Sequence, residues 1–449
     1  MGEYLNEVVL LLDNYGIESE NLHTSFKLAG KDYPVAVIEE DGFLPEDVIS
    51  VFGYFLGDFK NAENIPGKPR YFNQITVPEY WEISGSNSSG KIHNLSHERG
   101  RIFYAEPKHK RLVRVVDWLD ENGVVRSSDH YNRYGALYAR TIFNAKGQKV
   151  NKSYFSASGK EIIVHNYVTG DIILNEDDVV RIFHTKTDFV VYFMEKTGFD
   201  KSRVFFNSLS TPFFVSQRLS GERKEDVLFW QEPIHDAIPG NMQIILNGQS
   251  TRTSKIVVQK RAAYDKLIAL GASSEMVQRL GYIYPFEKEN RYKSEALICT
   301  NSDRIANIER LVEELPHMQF HIAAITEMSS KLMALDKYAN VKLYPGVKMQ
   351  VLDELFDICD FYLDINYENE IASAVRRAFL HNHLIFAFRD TIHNNNYIAE
   401  EAIYGQEPDE VKRMIVDIRM IMLEKQFMDA DLQLQHEWAM TETAEAYEM

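Results

Sequence analysis

The chain has 449 residues, 45% of them hydrophobic and 26% charged, and a net charge of −17. That length exceeds one ordinary core and suits two domains with room for an insertion. A surface this acidic repels phosphate backbones and excludes general nucleic-acid binding.

Taken in chain order, the first 66 residues read as helix then strand. Tyr4–Tyr15 carries apolar residues at helical spacing, Tyr33–Glu39 is a short buried strand closed at Asp41–Gly42, and Val48–Phe55 reads as a helix. The longest apolar run here, Val8–Leu12, is far too short to cross a bilayer, and no basic leader precedes it. The expectation is a cytoplasmic protein whose contact with the inner face of the cell membrane would be peripheral.

The texture changes at Pro66. From Arg70 to about Leu174, short alternating runs are separated by turns at Ser88–Gly90, Glu121–Gly123, Ala145–Gly147 and Ala157–Gly159. This pattern predicts a meander of β-hairpins, including Tyr71–Ile75 as a strand. The turns Phe143–Gly147 and Phe155–Gly159 are alike and suggest a local hairpin repeat. Aromatics are 12% of the chain. In the meander they include Tyr71, Phe72, Tyr80, Trp81, Phe103, Tyr104, Trp118, Tyr138 and Phe143. Half of them would face the inside of the sheet, leaving an exposed edge or face to dock a partner by strand addition. The basic run Lys108–Arg114 alternates with apolar residues at its end and reads as a solvated strand face. His93 and His97, near Glu98, sit in an exposed Ser-rich loop context rather than a metal site.

The α/β pattern returns around Asp178. Val179–Lys196 has helical stretches, Arg203–Phe206, Val227–Trp230 and Lys255–Gln259 read as buried strands, and Ala262–Leu270 as a helix. From Ser294 five strands, starting at Ala296, Gln319, Val341, Phe361 and Leu384, alternate with helices. That alternation specifies a parallel, doubly wound sheet. The residues from Glu407 on are helical, and a terminal helix could cross back onto the first domain. Cys299 and Cys359 lie in apolar segments without Cys or His at metal-ligand spacing and read as small buried hydrophobes. The fold class is therefore α/β, with two Rossmann-like domains and an antiparallel β-meander inserted in the first. The domains are 1–66 with 180–285, the inserted sheet 67–179, the second Rossmann-like domain 286–435, and a tail 436–449. Ligands bind such sheets at the strands' carboxyl ends, so the groove between the two domains is the expected site.

Asn340–Gly346 (NVKLYPG), Leu352–Cys359, Asp360–Asp364 (DFYLD) and Ala374–Phe388 together resemble the donor domain of retaining GT-B glycosyltransferases. In that family two glutamates separated by seven residues hold the transferred sugar and the ribose hydroxyls, and carboxylates suit this because they accept from vicinal hydroxyls. The resemblance places Asn369 and Arg377 at those two positions, and no neighbouring register restores the pair. An Arg and a Lys that would neutralise the diphosphate are replaced by Asn301 and Ala306. Arg304 is the lone cation, with Asp303 beside it. Glu368 and Glu370 read as a solvated helix N-terminus, and His393 as part of a polar loop.

A first domain interrupted by a β-meander, with Phe229–Met242 (FWQEPIHDAIPGNM), resembles the stabilising, chaperone-like, non-catalytic subunits of streptococcal UDP-GlcNAc:peptide O-GlcNAc transferases, which serve the accessory Sec system. The resemblance implies a pseudo-glycosyltransferase without activity alone and with no cofactor or metal. Such a subunit pairs through inserted sheets with a catalytic paralogue and binds a serine-rich-repeat adhesin polypeptide, so that the first GlcNAc is added from UDP-GlcNAc. His235 and Asp236, past the strand ending at Trp230, are acceptor contacts on one reading and a loop held by Asp236 and Pro239 on the other. The alternatives are an active retaining GT-B enzyme with an atypical donor site, using Glu368 or Glu370 with Arg304, and a carbohydrate-binding or structural module.

Overall fold

The computed structural model describes residues 7–176, 179–221 and 225–448. The expected α/β return at Asp178 and the start of the predicted helix at Tyr4 lie outside the described residues. The chain divides into two compact units, one reaching to Arg279 but without Leu28–Gly30, the other made of Leu28–Gly30 and the residues from Leu280 on.

The first unit is built on a seven-stranded sheet. Its order is Val277–Arg279, Thr253–Val258, Asp226–Trp230, Arg203–Phe206, Val8–Asn14, Val35–Glu39 and Val48–Ser50, with neighbouring strands parallel. Val8–Asn14 is thus a strand, not the helix its spacing suggested. The reason is burial: Val8 to Leu12 are all buried. A helix could hide only one stripe of such a run, whereas a central strand covered on both faces hides all of it. Val48–Phe55 likewise divides into a short strand and a 3₁₀ turn, Gly53–Phe55. Val179–Lys196 divides into a strand, Val179–Phe183, and a helix, Lys186–Thr197. That helix starts where Thr185 accepts from the Asp188 N–H and ends at Gly198, whose φ is 78°.

The meander is a ten-stranded antiparallel sheet in sequential order from Glu82–Gly85 to Val179–Phe183. Tyr71–Ile75 does not join it. It forms a 3₁₀ turn, Phe72–Gln74, anchored by a bridge from Tyr71 to Leu112. The hairpin repeat is present. The Gly147 N–H donates to the Asn144 carbonyl at 3.0 Å, and Gly159 to Ser156 at 2.9 Å. Both glycines have φ between 70° and 85°, a region closed to most side chains.

The sheet has two interiors. Its later strands supply Tyr138, Tyr154, Ile163, Ile172 and Leu174 to the core of the parallel sheet, where Phe52 stacks on Tyr154 with centroids 4.8 Å apart. Its earlier strands enclose a separate small core of Ile92, Ile102, Tyr104, Val113 and Val116. Gly42 is the joint on the parallel-sheet side. A Cβ there would lie 2.6 Å from the Tyr131 carbonyl oxygen, so only glycine lets the meander approach this closely.

The second unit has a six-stranded sheet in the order Val341–Tyr344, Gln319–Ala324, Glu295–Thr300, Phe361–Asp364, Leu384–Phe388 and Ile403–Tyr404. All its pairings are parallel. Two helices, Pro408–Leu423 and Lys425–Trp438, follow. The second packs on strand Leu384–Phe388 of its own unit, where Gln435 bridges the Ile385 N–H and the His383 carbonyl at 2.9 Å each. No helix among the described residues is long and apolar enough to cross a membrane.

Candidate functional site

Parallel strands aim their carboxyl ends at one edge of a sheet, and that edge is where such sheets bind ligands. In the second unit Thr300 ends a central strand, and its hydroxyl donates to Asn366 Oδ1 at 2.9 Å. This bond ties together the loops that carry the residues expected at a donor site.

Arg304 lies in the first of these loops. Its guanidinium pairs with Glu368 at 2.8 Å and covers the Tyr367 ring at 5.4 Å. Asn301 in the same loop is half-buried, and its side-chain oxygen has no hydrogen-bond partner. Asn369 is exposed. Arg377 sits on the helix Ala374–Leu380, where it bonds Asp353 at 2.6 Å and lies 4.2 Å over the Phe356 ring. Its charge is therefore engaged by the neighbouring helix Met349–Ile358.

Glu370 does not have a free carboxylate. It accepts from the Val375 N–H at 2.8 Å. That bond stands in for the N-cap Ser373, which is left-handed at φ 49° and makes no side-chain cap. Burial pushes the Glu370 carboxyl up, and the Val375 N–H pulls it down.

His393 is more than a polar loop residue. Its ring Nδ1 lies 2.6 Å from Asp364 Oδ1, its backbone N–H donates to Asp364 Oδ2 at 2.8 Å, and Nε2 reaches the Glu368 carbonyl at 2.5 Å. The Asp364 hydrogen bond raises its pKa to about 9 against the opposing effect of burial. At neutral pH both ring nitrogens therefore donate. Three cations near this edge, Arg304, Arg377 and His393, are each paired with a carboxylate, Glu368, Asp353 and Asp364, while Arg389, directly after the strand Leu384–Phe388, is exposed.

The first unit shows a different chemistry at its strand ends. Asn207, Gln231 and Gln259 each directly follow a parallel strand, and all three are buried. They form a ladder of amides. Asn207 Oδ1 accepts from the Asp13 N–H at 2.9 Å, Asn207 Nδ2 donates to Gln231 Oε1 at 3.1 Å, and Gln231 Nε2 donates to Gln259 Oε1 at 2.8 Å. The last donor, Gln259 Nε2, is buried without a partner.

Beside the ladder lies a pocket of about 240 Å³ whose lining includes Asp13, Glu18, Ser208, Gln231 and Lys260. Lys260 is held 3.0 Å from Glu18. Burial pushes the Asp13 carboxyl up, opposed by a hydrogen bond with Ser210. The pocket therefore offers amides, hydroxyls, a lysine paired with Glu18 and the carboxyl groups of Asp13 and Glu232, which suits a hydrogen-bonding ligand without negative charge. His235 and Asp236 are exposed in the loop beyond Gln231. The ladder had a signal in the sequence, because an Asn or Gln follows each of three consecutive apolar strand runs, but the signal carries no motif.

These features define a mixed α/β protein with parallel sheets, an antiparallel insertion and a strand-end edge near which Arg304, Arg377 and His393 are already paired. Family models agree at the level of individual segments. The GtfB N-terminal domain matches residues 9–55, the GtfB middle domain 81–184, the GtfB third domain 186–270 and the GftB/GlyA-F C-terminal domain 296–435. The relatives extend over most of the chain. The UDP-N-acetylglucosamine–peptide N-acetylglucosaminyltransferase stabilizing protein GtfB of Streptococcus gordonii is 42% identical over 400 residues, 88% of each chain. The protein of the same name from Streptococcus agalactiae is 44% identical over 398 residues, 88% of this chain and 89% of its own. A chain in the crystal structure of a GtfA/B complex bound to UDP and GlcNAc is 40% identical. It superposes with a TM-score of 0.92 over 98% of both chains. The chain belongs to the GtfB family of peptide N-acetylglucosaminyltransferase stabilizing proteins.

Proposed function

We propose that this chain is a non-catalytic subunit that stabilises a paralogous O-GlcNAc transferase and presents a Ser/Thr-rich adhesin polypeptide to it, so that the first GlcNAc is transferred from UDP-GlcNAc. Its architecture would be that of a GT-B enzyme with a degenerate donor domain. The observation that carries this reading is that Arg304, the cation expected to meet a diphosphate, is paired with Glu368, and that Arg377, at a position where a sugar-holding glutamate is expected, is paired with Asp353. A diphosphate leaving group needs unspent cations and the sugar needs acceptor carboxylates. Here Arg304, Arg377 and His393 are each spent on a carboxylate, and Asn369 offers no charge.

Acceptor binding falls to the first unit. An unglycosylated Ser/Thr-rich chain offers hydroxyls and backbone amides and little charge, which matches the amide-lined pocket beside Gln231. His235 and Asp236 are then contacts at its rim. The partner is the GtfA-type subunit, docking on the inserted sheet. The terminal strand Val179–Phe183 supports this. It pairs on one side only, and Val180 and Ile182 are 63% and 58% exposed. An edge with exposed apolar residues is a template for strand addition. The complex would work in the cytoplasm.

The test is transfer of radiolabelled GlcNAc from UDP-GlcNAc to a serine-rich peptide by this chain, by the catalytic subunit and by the mixture. The expected result is no product from this chain alone and more product from the mixture than from the catalytic subunit alone. Product from this chain alone would establish an active transferase with an atypical donor site.

A further inference from the structure

A pocket of about 320 Å³ in the second unit shares no residue with the strand-end site. Its floor is Leu384 and Phe386 of the sheet. Its walls come from the two C-terminal helices, which show Met420, Phe427 and Leu434 to solvent. The exposed apolar surface continues past the pocket along the first helix to Val416 and to Leu423, which is 77% exposed. The same pocket holds three carboxylates, Glu401, Asp417 and Asp431.

Carboxylates set into apolar surface are costly unless a cation answers them. Asp417 accepts from the Tyr404 hydroxyl at 2.8 Å. Burial pushes the Asp431 carboxyl up, and the negative charges of Asp417 and Glu401 add to this. Of the four Lys and Arg side chains on these helices, Lys412 is exposed one turn before Val416 and the other three are engaged by other groups. Arg413 pairs with Glu410 at 3.1 Å and covers the Tyr404 ring, Arg419 bonds the Glu314 carbonyl, and Lys425 lies over the Tyr292 ring. Among the described residues no group of acidic, His or Cys side chains is arranged to hold a metal ion, which leaves an organic cation as the complement.

We propose that this pocket is a docking site for a segment of a partner protein that inserts a lysine or arginine between apolar side chains. The long stem of such a residue packs on Phe386, Met420 and Leu434 while its charged head meets Asp417 and Asp431. A small amine would fill the pocket and leave Val416 and Leu423 in water. An amphipathic segment lying across both helices covers them as well. An anionic membrane is repelled by the three carboxylates.

The test uses the full chain with ¹³C-labelled methionine methyls and a blocked seven-residue peptide whose central lysine is flanked by leucines. The Met420 resonance shifts saturably with this peptide. A peptide with glutamine in place of the lysine binds about tenfold more weakly or worse. Asp431→Asn weakens the lysine peptide by a similar factor. Met420→Lys, which supplies the cation internally, removes binding without lowering the melting temperature. Equal binding of the two peptides would overturn the proposal, as would shifts at other methionines with Met420 unmoved. So would uptake by phosphatidylcholine vesicles in place of peptide binding, or self-association through this face that Asp431→Asn abolishes.

Discussion

Arg304 and Glu368 stand 64 residues apart in sequence and 2.8 Å apart in the fold, joining the loops that leave two adjacent strands. Both side chains are substantially exposed, so the pair contributes little to stability, about 0–1 kcal/mol. Its consequence is electrostatic: the cation expected to meet a diphosphate already has a counter-ion. Arg304→Ala should therefore shift the melting temperature by less than about 2 °C. Glu368→Gln should not create UDP binding tighter than about 1 mM, because Arg377 and His393 stay neutralised. Isothermal titration calorimetry with UDP on the two variants, with thermal unfolding alongside, checks both statements.

His393 and Asp364 make stability depend on pH with a defined sign. The folded pKa of His393 is about 9 against an ordinary 6.5. The contribution is fully present below about pH 6.5 and disappears as pH rises through about 9. Each tenfold gain in proton affinity on folding is worth about 1.4 kcal/mol, which sets an upper bound of about 3.5 kcal/mol, and solvent screening of this half-buried pair reduces it to the order of 2 kcal/mol. Urea midpoints should fall between pH 7 and 9.5 in the native chain. His393→Gln should lower the midpoint at pH 7 and flatten that slope. An unchanged slope in the variant would show that the Asp364 clamp does not titrate in this range.

Much of this fold was legible in the sequence because its period is strong. The parallel strands that begin near Ala296, Gln319, Val341, Phe361 and Leu384 are short apolar runs at regular spacing, and each is present. The meander was legible from its glycine turns. Val8–Leu12 misled, because a run buried on both faces has no alternation, and neighbouring Tyr4 and Tyr15 mimic helical spacing. The absence of the donor-site residue types was visible at Asn369 and Arg377. The pairing of Arg377 with Asp353 and of His393 with Asp364 was not, since it depends on how helices and loops approach the sheet. The Asn207–Gln231–Gln259 ladder joins residues from three strands and emerges only when parallel pairing sets their ends side by side.

Val180 and Ile182 share one face of the terminal strand by the two-residue period. Neither is buried, so replacing both with lysine should leave the melting temperature within about 2 °C of the native chain. It should also abolish copurification with the catalytic subunit, because charged side chains protect strand edges from pairing. Size-exclusion chromatography of the mixed subunits reads the second effect, and thermal unfolding of the single chain reads the first. Retained association in a stable variant would move the partner interface away from this edge.

Arg252 and Asp226 form a buried, doubly bonded pair, with Nε to Oδ2 at 2.9 Å and Nη2 to Oδ1 at 3.2 Å. Asp226 also accepts from the Val204 N–H and the Ser216 hydroxyl. The pair therefore fixes the amino ends of two parallel strands. Arg252→Ala leaves that carboxylate buried without its cation, at a cost of about 3–5 kcal/mol. Urea unfolding should show the loss, and Arg252→Lys should recover only part of it because one ammonium cannot make both bonds.

Gln231 is the central rung of the amide ladder, and its replacement separates binding from folding. Gln231→Leu removes the bonds to Asn207 and Gln259 and leaves the Gln259 amide with neither of its side-chain groups paired, costing about 1–3 kcal/mol. Asn207 retains Ser19 and Asp13 as partners, so the damage stays local and the chain should still copurify with the catalytic subunit. Binding of a fluorescent serine-rich peptide should weaken about tenfold, because the pocket wall loses its donor and acceptor together. That binding should change little between 50 and 300 mM salt, as the ligand carries little charge. His235→Ala and Asp236→Ala, at the exposed rim, should weaken binding less than Gln231→Leu does. Unaltered peptide affinity in a folded Gln231→Leu chain would place the acceptor elsewhere on the molecule.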